Sequence, residues 1–259
     1  MYNKYFTIEV IPTISAIKQA LNSSVYTAGD VLFDWTSFQI PKGASRLIGT
    51  SVIFRGKNGG VQGAKDVDIY FAKTIDGVAP ATMGDPNGTA GALPIVSNHI
   101  LGFTRVDDGS GFGENGFDRF TVAMTGGSSV VGVQENLVIQ GEPDSGDNVG
   151  YDTIYLGAIT GGAFDFGTTV LARGGEAAGV TVVETDKGGN DDPNAELIFA
   201  PGDVLHGSTG AVLGTVESIA AFGESKQDIT FTAGTVEVLD DNEEIFNINP
   251  IRLILFFEK

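Results

Sequence analysis

The sequence has 259 residues, of which 42% are hydrophobic and 19% charged, a composition too apolar for a disordered protein. It contains no apolar run of about 18 residues, the length that crosses a bilayer. It also contains no cysteine, which excludes disulfides and thiolate metal sites and fits assembly in a reducing cytosol. The formal net charge of −18 disfavours nucleic acid and anionic membranes as partners, because it repels their phosphate groups.

The first quarter of the chain contains four segments with the period-two alternation of half-buried strands. The residues around the first strand lack the basic region and cleavage site of a signal peptide, so export by that route is not expected. The segment Thr13–Leu21 fits either a short amphipathic helix or an irregular crossover. The four strands are predicted at Phe6–Val10, from Val31 to the turn at Pro41, at Ser45–Arg55 and at Val67–Phe71.

Between Val78 and Gly150 frequent Gly, Pro, Asn and Asp residues break the alternation and predict loops at 84–88, 107–116 and 142–148. The element around Leu93–Phe103 is ambiguous. A clear strand follows at Thr153–Ile159, and Phe164–Leu171 is predicted to pair with it as a hairpin. Two further strands are predicted within the loop-rich region, at Phe120–Met124 and Leu137–Gln140.

The composition changes at about Gly174, where the chain becomes acidic. From Gly174 to Phe246 there are 15 Asp and Glu against Lys187 and Lys226, a net charge of −13, which leaves −5 for the rest of the chain. Such a surface either keeps the protein solvated or binds cations. The spacing of turns and strands resembles the repeated hairpins of a small SH3-like barrel. The strands predicted here are Val180–Val183, Leu197–Phe199, Val212–Ser218, Ile229–Thr232 and Val236–Leu239.

The last strand is predicted at Ile251–Phe257 and is apolar on both alternating faces apart from Arg252. Such a strand favours burial on both sides and therefore a place inside a large domain. We predict a main β-sandwich domain of residues 1–172 plus 247–259, with residues 173–246 inserted before the last strand as a small acidic β-barrel-like module. The termini of one domain often lie close together, which agrees with this topology.

The sequence offers no recognisable catalytic site. The two histidines, His99 and His206, lie far apart without ligands at metal-binding spacing, and His206 is predicted to be a surface residue at a turn. No Gly-x-Ser-x-Gly motif occurs, and the glycine-rich segments 56–60 and 109–113 lack the strand and helix that frame a phosphate-binding loop. The prediction is a protein that is not an enzyme and that has no cofactor.

Acidic clusters are the one arguable kind of site, because carboxylate-rich loops can hold calcium. None of them has the EF-hand spacing, so exposed solvating charge is the favoured interpretation and no metal site is predicted. Paired acids for glycoside hydrolysis depend on distances that a sequence does not contain. Few aromatic residues are available to line a sugar cleft, and Trp35 is predicted to pack in the core. The three clusters are Asp107, Asp108, Glu114 and Asp118; Asp186, Asp191 and Asp192; and Asp240, Asp241, Glu243 and Glu244.

Three segments are similar to a group of tailed-phage virion structural proteins: Ser23–Val31 with its Tyr-x-x-Gly-Asp turn, Ser45–Val52 and Val67–Lys73. Tyr151–Ile159 and Ile251–Phe257 resemble the penultimate and final strands of the same domain, whereas the acidic segment departs from the pattern. The resemblance implies an antiparallel jelly-roll-like sandwich on a virion, as a capsid decoration or cement protein that forms a homo-oligomer such as a trimer.

The leading hypothesis is therefore a non-enzymatic protein that binds the major capsid protein or other virion proteins and is assembled in the host cytoplasm. Nucleic acid and membrane partners are not expected. The alternative is a glycan-binding module of a tail or head fibre, with a shallow aromatic or calcium-dependent site near Asp107–Asp118 or on the acidic insert. A glycan-cleaving enzyme is the third and least favoured hypothesis.

Overall fold

The computed structural model describes residues 4–14, 26–55, 66–91, 94–106, 114–117, 120–124, 136–142, 150–164, 170–186, 194–220 and 226–259. Residues 94–95, 114–117, 120–124 and 197 are described by their backbone alone. The described chain consists of antiparallel strands and two single helical turns, α1 (Pro94–Ser97) and α2 (Ala195–Ile198). The predicted all-β fold is confirmed.

The first sheet of the sandwich contains the two ends of the described chain. Its strands are β1 (Tyr5–Val10), β3 (Ser45–Arg55), β6 (Glu114–Phe117), β7 (Phe120–Met124), β8 (Leu137–Ile139) and β16 (Ile251–Glu258). They are ordered β1-β16-β3-β7-β6, and β8 pairs with the first residues of β3. The last strand therefore lies between the first and the third, with hydrogen-bonded neighbours on both sides.

The second sheet packs against the first and completes a jelly roll. Its strands β2 (Val31–Pro41), β4 (Val67–Lys73), β5 (Ile100–Val106) and β9 (Tyr151–Thr160) are ordered β2-β9-β4-β5. Numbered in chain order without the short β6 and β8, the eight main strands have the sheet orders 1-8-3-6 and 2-7-4-5. This is the strand order of a jelly roll, so the predicted sandwich type is confirmed as well.

The first hydrophobic core fills the space between these two sheets. Tyr26 and Phe164 are both fully buried in it, and their backbones are joined by a hydrogen bond from Tyr26 N to Phe164 O at 2.8 Å. The Phe164 ring lies 5.0 Å from the Phe54 ring, which connects this bridge to the first sheet. Aromatic contacts of this kind contribute about 0.5–1.5 kcal/mol beyond the area they bury.

The inward side of β16 closes that core. Its residues Ile251, Leu253, Leu255 and Phe257 are each 0% exposed, and burying such side chains stabilises the fold by about 1.5–3 kcal/mol each. On the outward side Arg252 is exposed and the apolar residues are half-buried. The expected burial on both faces is therefore found on one face only, because the outward face of β16 is only partly covered in the described structure.

A second set of six strands forms a barrel around its own core. The strands are β10 (Val170–Leu171), β11 (Val182–Asp186), β12 (Val204–His206), β13 (Val212–Ile219), β14 (Lys226–Phe231) and β15 (Glu244–Asn247), ordered β10-β15-β12-β13-β14-β11. A bridge between Ala172 and Thr185 and a hydrogen bond from Arg173 N to Glu184 O at 2.8 Å join the two ends of this order. The acidic segment is thus barrel-like, as predicted.

The two cores share no residue, and the barrel core begins at Val170, three positions before the predicted module boundary at residue 173. The strand β15 likewise continues to Asn247, one residue past the predicted end. The two separate cores support the division into a main domain and an insert. That each part folds without the other stays a prediction.

Several predicted elements of the second half of the chain are wrong. The two described ends of the predicted hairpin strand Phe164–Leu171 pair elsewhere and not with β9, since Phe164 bridges Tyr26 and Val170–Leu171 pairs with β15. The predicted strand Leu197–Phe199 falls on α2 and its flank. The predicted strand Val236–Leu239 makes one bridge, from Leu239 to Glu176, and no ladder. The segment Thr13–Leu21 lies outside the described residues apart from its first two positions.

Candidate functional site

Both histidines are buried and bonded to backbone carbonyls. His99 Nδ1 lies 2.8 Å from Lys73 O, and His206 Nδ1 lies 3.0 Å from Gly210 O. The prediction of a surface position for His206 is wrong, because the register shift between Leu205 and His206 turns both residues inward and leaves His206 only 5% exposed. Both rings therefore support local structure.

The acidic cluster at 240–244, near the end of the barrel sequence, holds neighbouring loops in place through hydrogen bonds. The Glu243 carboxylate accepts hydrogen bonds from Ser208 N at 3.0 Å, Ser208 Oγ at 2.7 Å and Asp240 N at 2.9 Å. Burial raises the pKa of Glu243, but the hydrogen bonds from Asp240 and Ser208 outweigh it and hold this pKa below its usual value. Asp241 accepts from Gly174 N at 2.8 Å, so it fastens the end of the barrel to its beginning.

The other two clusters lie largely outside the part of the chain that the structure describes. Asp186 is described and lies 3.8 Å from the Arg173 guanidinium, whereas Asp191 and Asp192 are not described. The side chains of the cluster at 107–118 are not described either, and the same holds for the glycine-rich segments 56–60 and 109–113. Among the described side chains, no group of three or more His, Asp or Glu residues is placed to hold a metal ion.

A groove of about 640 Å³ lies where the barrel meets the outer face of the first sheet. Its floor is formed by side chains of adjacent strands, with Ile53 from β3 and Arg252 from β16 directly opposite each other. The segment Pro201–Val204 of the barrel forms one wall, and Asn249–Pro250 forms the end. Pockets of this size between structural units are frequent binding sites.

Two ion pairs lie in the groove. Arg55 Nη2 lies 2.8 Å from Asp203 Oδ1 and joins the sandwich to the barrel, while Arg252 pairs with Glu9 across two strands of the floor. Burial raises the pKa of Asp203, and the nearby Arg55 charge together with hydrogen bonds from Ala200, Arg55 and Asn247 opposes that rise only in part. An incompletely compensated buried carboxylate of this kind is a common property of functional sites.

The lining of the groove combines charged and apolar side chains. Its charged groups are the carboxylates of Glu9 and Asp203 and the guanidinium groups of Arg55 and Arg252. Apolar side chains such as Ile11 and Val204 lie in the same groove as the ion pairs. Sequence reasoning missed this site, and its only signal was the single charge of Arg252 in an otherwise apolar strand.

The outer face of the second sheet carries a second surface feature, a row of aromatic side chains. Tyr70 and Phe103 stack across β4 and β5 with ring centroids 5.6 Å apart, and Phe103 is 57% exposed. Trp35, predicted to lie in the core, is instead half-buried on this outer face, because its ring packs over Gly157 and its Nε1 donates to Ala81 O at 2.7 Å. The outer face of the second sheet is therefore covered by Trp35 at Gly157 and exposed at Phe103.

Comparisons of the chain with protein-family models, with curated proteins and with solved structures find no match. No helix among the described residues is long and apolar enough to cross a membrane.

Proposed function

We propose that the chain is a non-enzymatic structural protein of a tailed-phage virion, a capsid decoration or cement protein that covers or stabilises the head shell. The observation that carries the proposal is the jelly-roll strand order with a barrel inserted directly before the last main strand. Jelly rolls recur in viral capsid proteins. Because one fold hosts several functions, the charge pattern is needed as further support.

The charge pattern supports a division of labour between the two units. The segment from Gly174 to Phe246 has a net charge of −13, whereas the rest of the chain is close to neutral for its length. In the proposed arrangement the sandwich binds the major capsid protein or another virion protein, and the acidic barrel projects outward. Many copies of an acidic barrel on one shell would repel other particles and keep them dispersed. The predicted homo-oligomer, such as a trimer, would form on the shell, and the virion would be assembled in the host cytoplasm.

Cryo-electron microscopy of virions with and without this chain tests the proposal. We expect density on the head shell that fits the sandwich at the surface and the barrel farther out, and we expect it to be absent when the chain is absent. Density confined to the tail would contradict the capsid role. Particles that never contain the chain would contradict the virion role altogether.

One observation favours glycan binding as a second candidate function. Phe103 and Tyr151 on the outer face of the second sheet are 57% and 53% exposed, and jelly rolls also serve as lectin domains. Exposed aromatic residues of this kind stack on sugar rings. A glycan array probed with wild-type protein and with Phe103→Ala, each with and without calcium, should show a signal that the substitution abolishes; no signal in any condition rejects this candidate.

A further inference from the structure

Among the described strands, β1 pairs with β16 alone, so its other side forms a free edge in the part of the chain that the structure describes. The residues just before and after these strands, Lys4 and Lys259, exchange two backbone hydrogen bonds, Lys4 N to Lys259 O at 3.4 Å and Lys259 N to Lys4 O at 3.0 Å. Because bonding alternates along an antiparallel pair, the backbone N–H and C=O groups of Tyr5, Thr7 and Glu9 point away from β16 and toward the free edge.

This edge lacks most of the features that usually prevent strands from pairing with other chains. Proteins protect edges with proline, charged side chains (lysine above all), bulges or very short strands. The strand β1 contains no proline, lysine or bulge, its one charged side chain, Glu9, pairs with Arg252 of the same sheet, and its six residues pair with β16 in one continuous register. By contrast, the edge strand β2 has two register shifts, β5 has one, and β6 has only four residues.

The core is also open along β1. Phe6 and Ile8 face the core but are only half-buried, whereas Phe257 and Leu255, their direct neighbours on β16, are 0% exposed. On the other face Tyr5 is 65% exposed. A further strand beside β1 would cover Phe6 and Ile8 and would satisfy the free backbone groups at the same time.

We propose that two copies of this chain pair antiparallel through their β1 strands, with the two-fold axis at Thr7, and so form one continuous sheet across a dimer. In that register Thr7 lies opposite the second copy's Thr7, and Tyr5 lies opposite the second copy's Glu9. Phe6 then lies beside the second copy's Ile8, so that the two half-buried core residues cover each other. A register centred on Glu9 would place two carboxylates face to face, which is unfavourable.

The charge distribution favours this antiparallel orientation. The barrel joins the sandwich next to Ile251 at the start of β16, whereas Lys4 and Lys259 lie at its other end. An eight-residue strand separates the two by about 25 Å. Antiparallel pairing places the two acidic barrels at opposite ends of the dimer, each toward the lysine end of the second copy, whereas parallel pairing would bring two charges of −13 together.

The dimer interface uses the same surface on both copies and is therefore closed. The trimer expected from the sequence would need a different surface, so the β1 dimer and the trimer can be tested separately. The inference rests on the edge and on the charges, and it holds whether or not the chain belongs to a virion.

Analytical ultracentrifugation of wild-type protein, Thr7→Pro and Thr7→Val tests the proposal. The N–H of Thr7 points away from β16, so proline breaks no bond within the sheet and removes the two central bonds of the dimer. We expect a wild-type dimer, an unchanged Thr7→Val dimer, and a Thr7→Pro dissociation constant raised by about tenfold or more. A monomeric wild-type protein at the highest soluble concentration, or a Thr7→Pro dimer as tight as wild type, overturns the proposal.

Disulfide trapping gives a second readout that does not depend on how well the proline variant folds. The chain has no cysteine, and opposed residues in a hydrogen-bonded antiparallel pair have Cα atoms about 5.5 Å apart, within the range that disulfides span. Thr7→Cys should therefore form a covalent dimer on mild oxidation. The control Val238→Cys, at a position on the barrel that is 61% exposed, should not. Equal cross-linking of the two variants contradicts the pairing.

Discussion

The sandwich and the barrel are both antiparallel β structures, but their contacts span very different lengths of chain. In the sandwich Tyr5 pairs with Glu258, 253 positions away, whereas every strand pair of the barrel lies between Val170 and Asn247. Closing a long loop costs conformational entropy before any contact is made. We therefore expect the barrel to complete its core on its own, and we expect the sandwich core to remain incomplete until β16 has been added.

The pairing within the barrel also explains how the barrel fits between β9 and β16, the last two main strands of the sandwich. Its first and last strands are neighbours, with Val170 paired to Ile245 and Leu171 paired to Glu244. The insert therefore leaves the sandwich and returns to it at nearly the same place. In topological terms it replaces a turn between β9 and β16, and the jelly-roll order is undisturbed.

A substitution pair in β16 should have the largest effect and should act on the sandwich alone. Leu253 is fully buried and its neighbour Ile254 faces outward, half-buried. We expect Leu253→Ala to lower the free energy of unfolding by about 2–5 kcal/mol, and Ile254→Ala by clearly less. Denaturant unfolding followed by the fluorescence of Trp35, the only tryptophan, measures both. Equal losses would mean that the two faces of β16 are wrongly assigned.

A glycine pair should have a smaller effect, confined to the barrel. A Cβ at Gly234 would lie 2.5 Å from the backbone oxygen of Gly179, whereas a Cβ at Gly175 would meet its nearest atom at 3.6 Å. Gly234→Ala should therefore destabilise the barrel by about 1–3 kcal/mol through overpacking, and Gly175→Ala should change little. Hydrogen exchange measured by mass spectrometry should show faster exchange in the barrel peptides only. Faster exchange in the sandwich as well would show that the two units do not unfold separately.

The smallest effect is expected at the ion pair that joins the two units. Burial raises the pKa of Asp203 in the folded protein, so the folded state holds the proton of the Asp203 carboxyl group more tightly than the unfolded chain does. Stability contributed by that proton is present at acid pH and is lost as pH rises from the ordinary Asp value of 3.8 toward the raised value.

The variant Asp203→Asn cannot titrate, so wild type should lose more stability than this variant over the same rise in pH. Urea unfolding of both proteins at a series of pH values measures the difference. A wild-type protein that instead gains stability relative to Asp203→Asn as pH rises would show that attraction to Arg55 outweighs the burial of Asp203.

Most strands of the sandwich could be predicted from the sequence because they alternate clearly and end at a turn. The exceptions are β5, whose sequence is ambiguous, and β6, which begins inside a predicted loop. The prediction for β3, Ser45–Arg55, agrees with the structure at both ends. The barrel was harder because its alternation is misleading. Val236 and Val238 alternate like strand residues but are 73% and 61% exposed on a segment without a ladder.

The strands β12 and β15 escaped prediction for the complementary reason. Val204–His206 is short and lies beside a turn, and Glu244–Asn247 continues an acidic run, so neither shows a clear hydrophobic period. The groove was beyond sequence reasoning altogether, since Arg55 and Asp203 are 148 positions apart and only the fold brings them together. The same holds for the free edge of β1, which depends on where β16 pairs.

The central claim, that a self-contained barrel is inserted into a sandwich that requires its last strand, is tested most directly by comparing the thermal unfolding of two deletion variants. One lacks residues 170–247, replaced by a short Gly/Ser linker, and the other lacks residues 251–259. We expect the first to melt cooperatively as a folded sandwich. The second should lose the sandwich transition, because about 1.5–3 kcal/mol for each of four buried side chains is comparable to the whole stability of a typical domain. A chain without β16 that still melts like the full-length protein, or a linker variant that does not fold, would contradict the account.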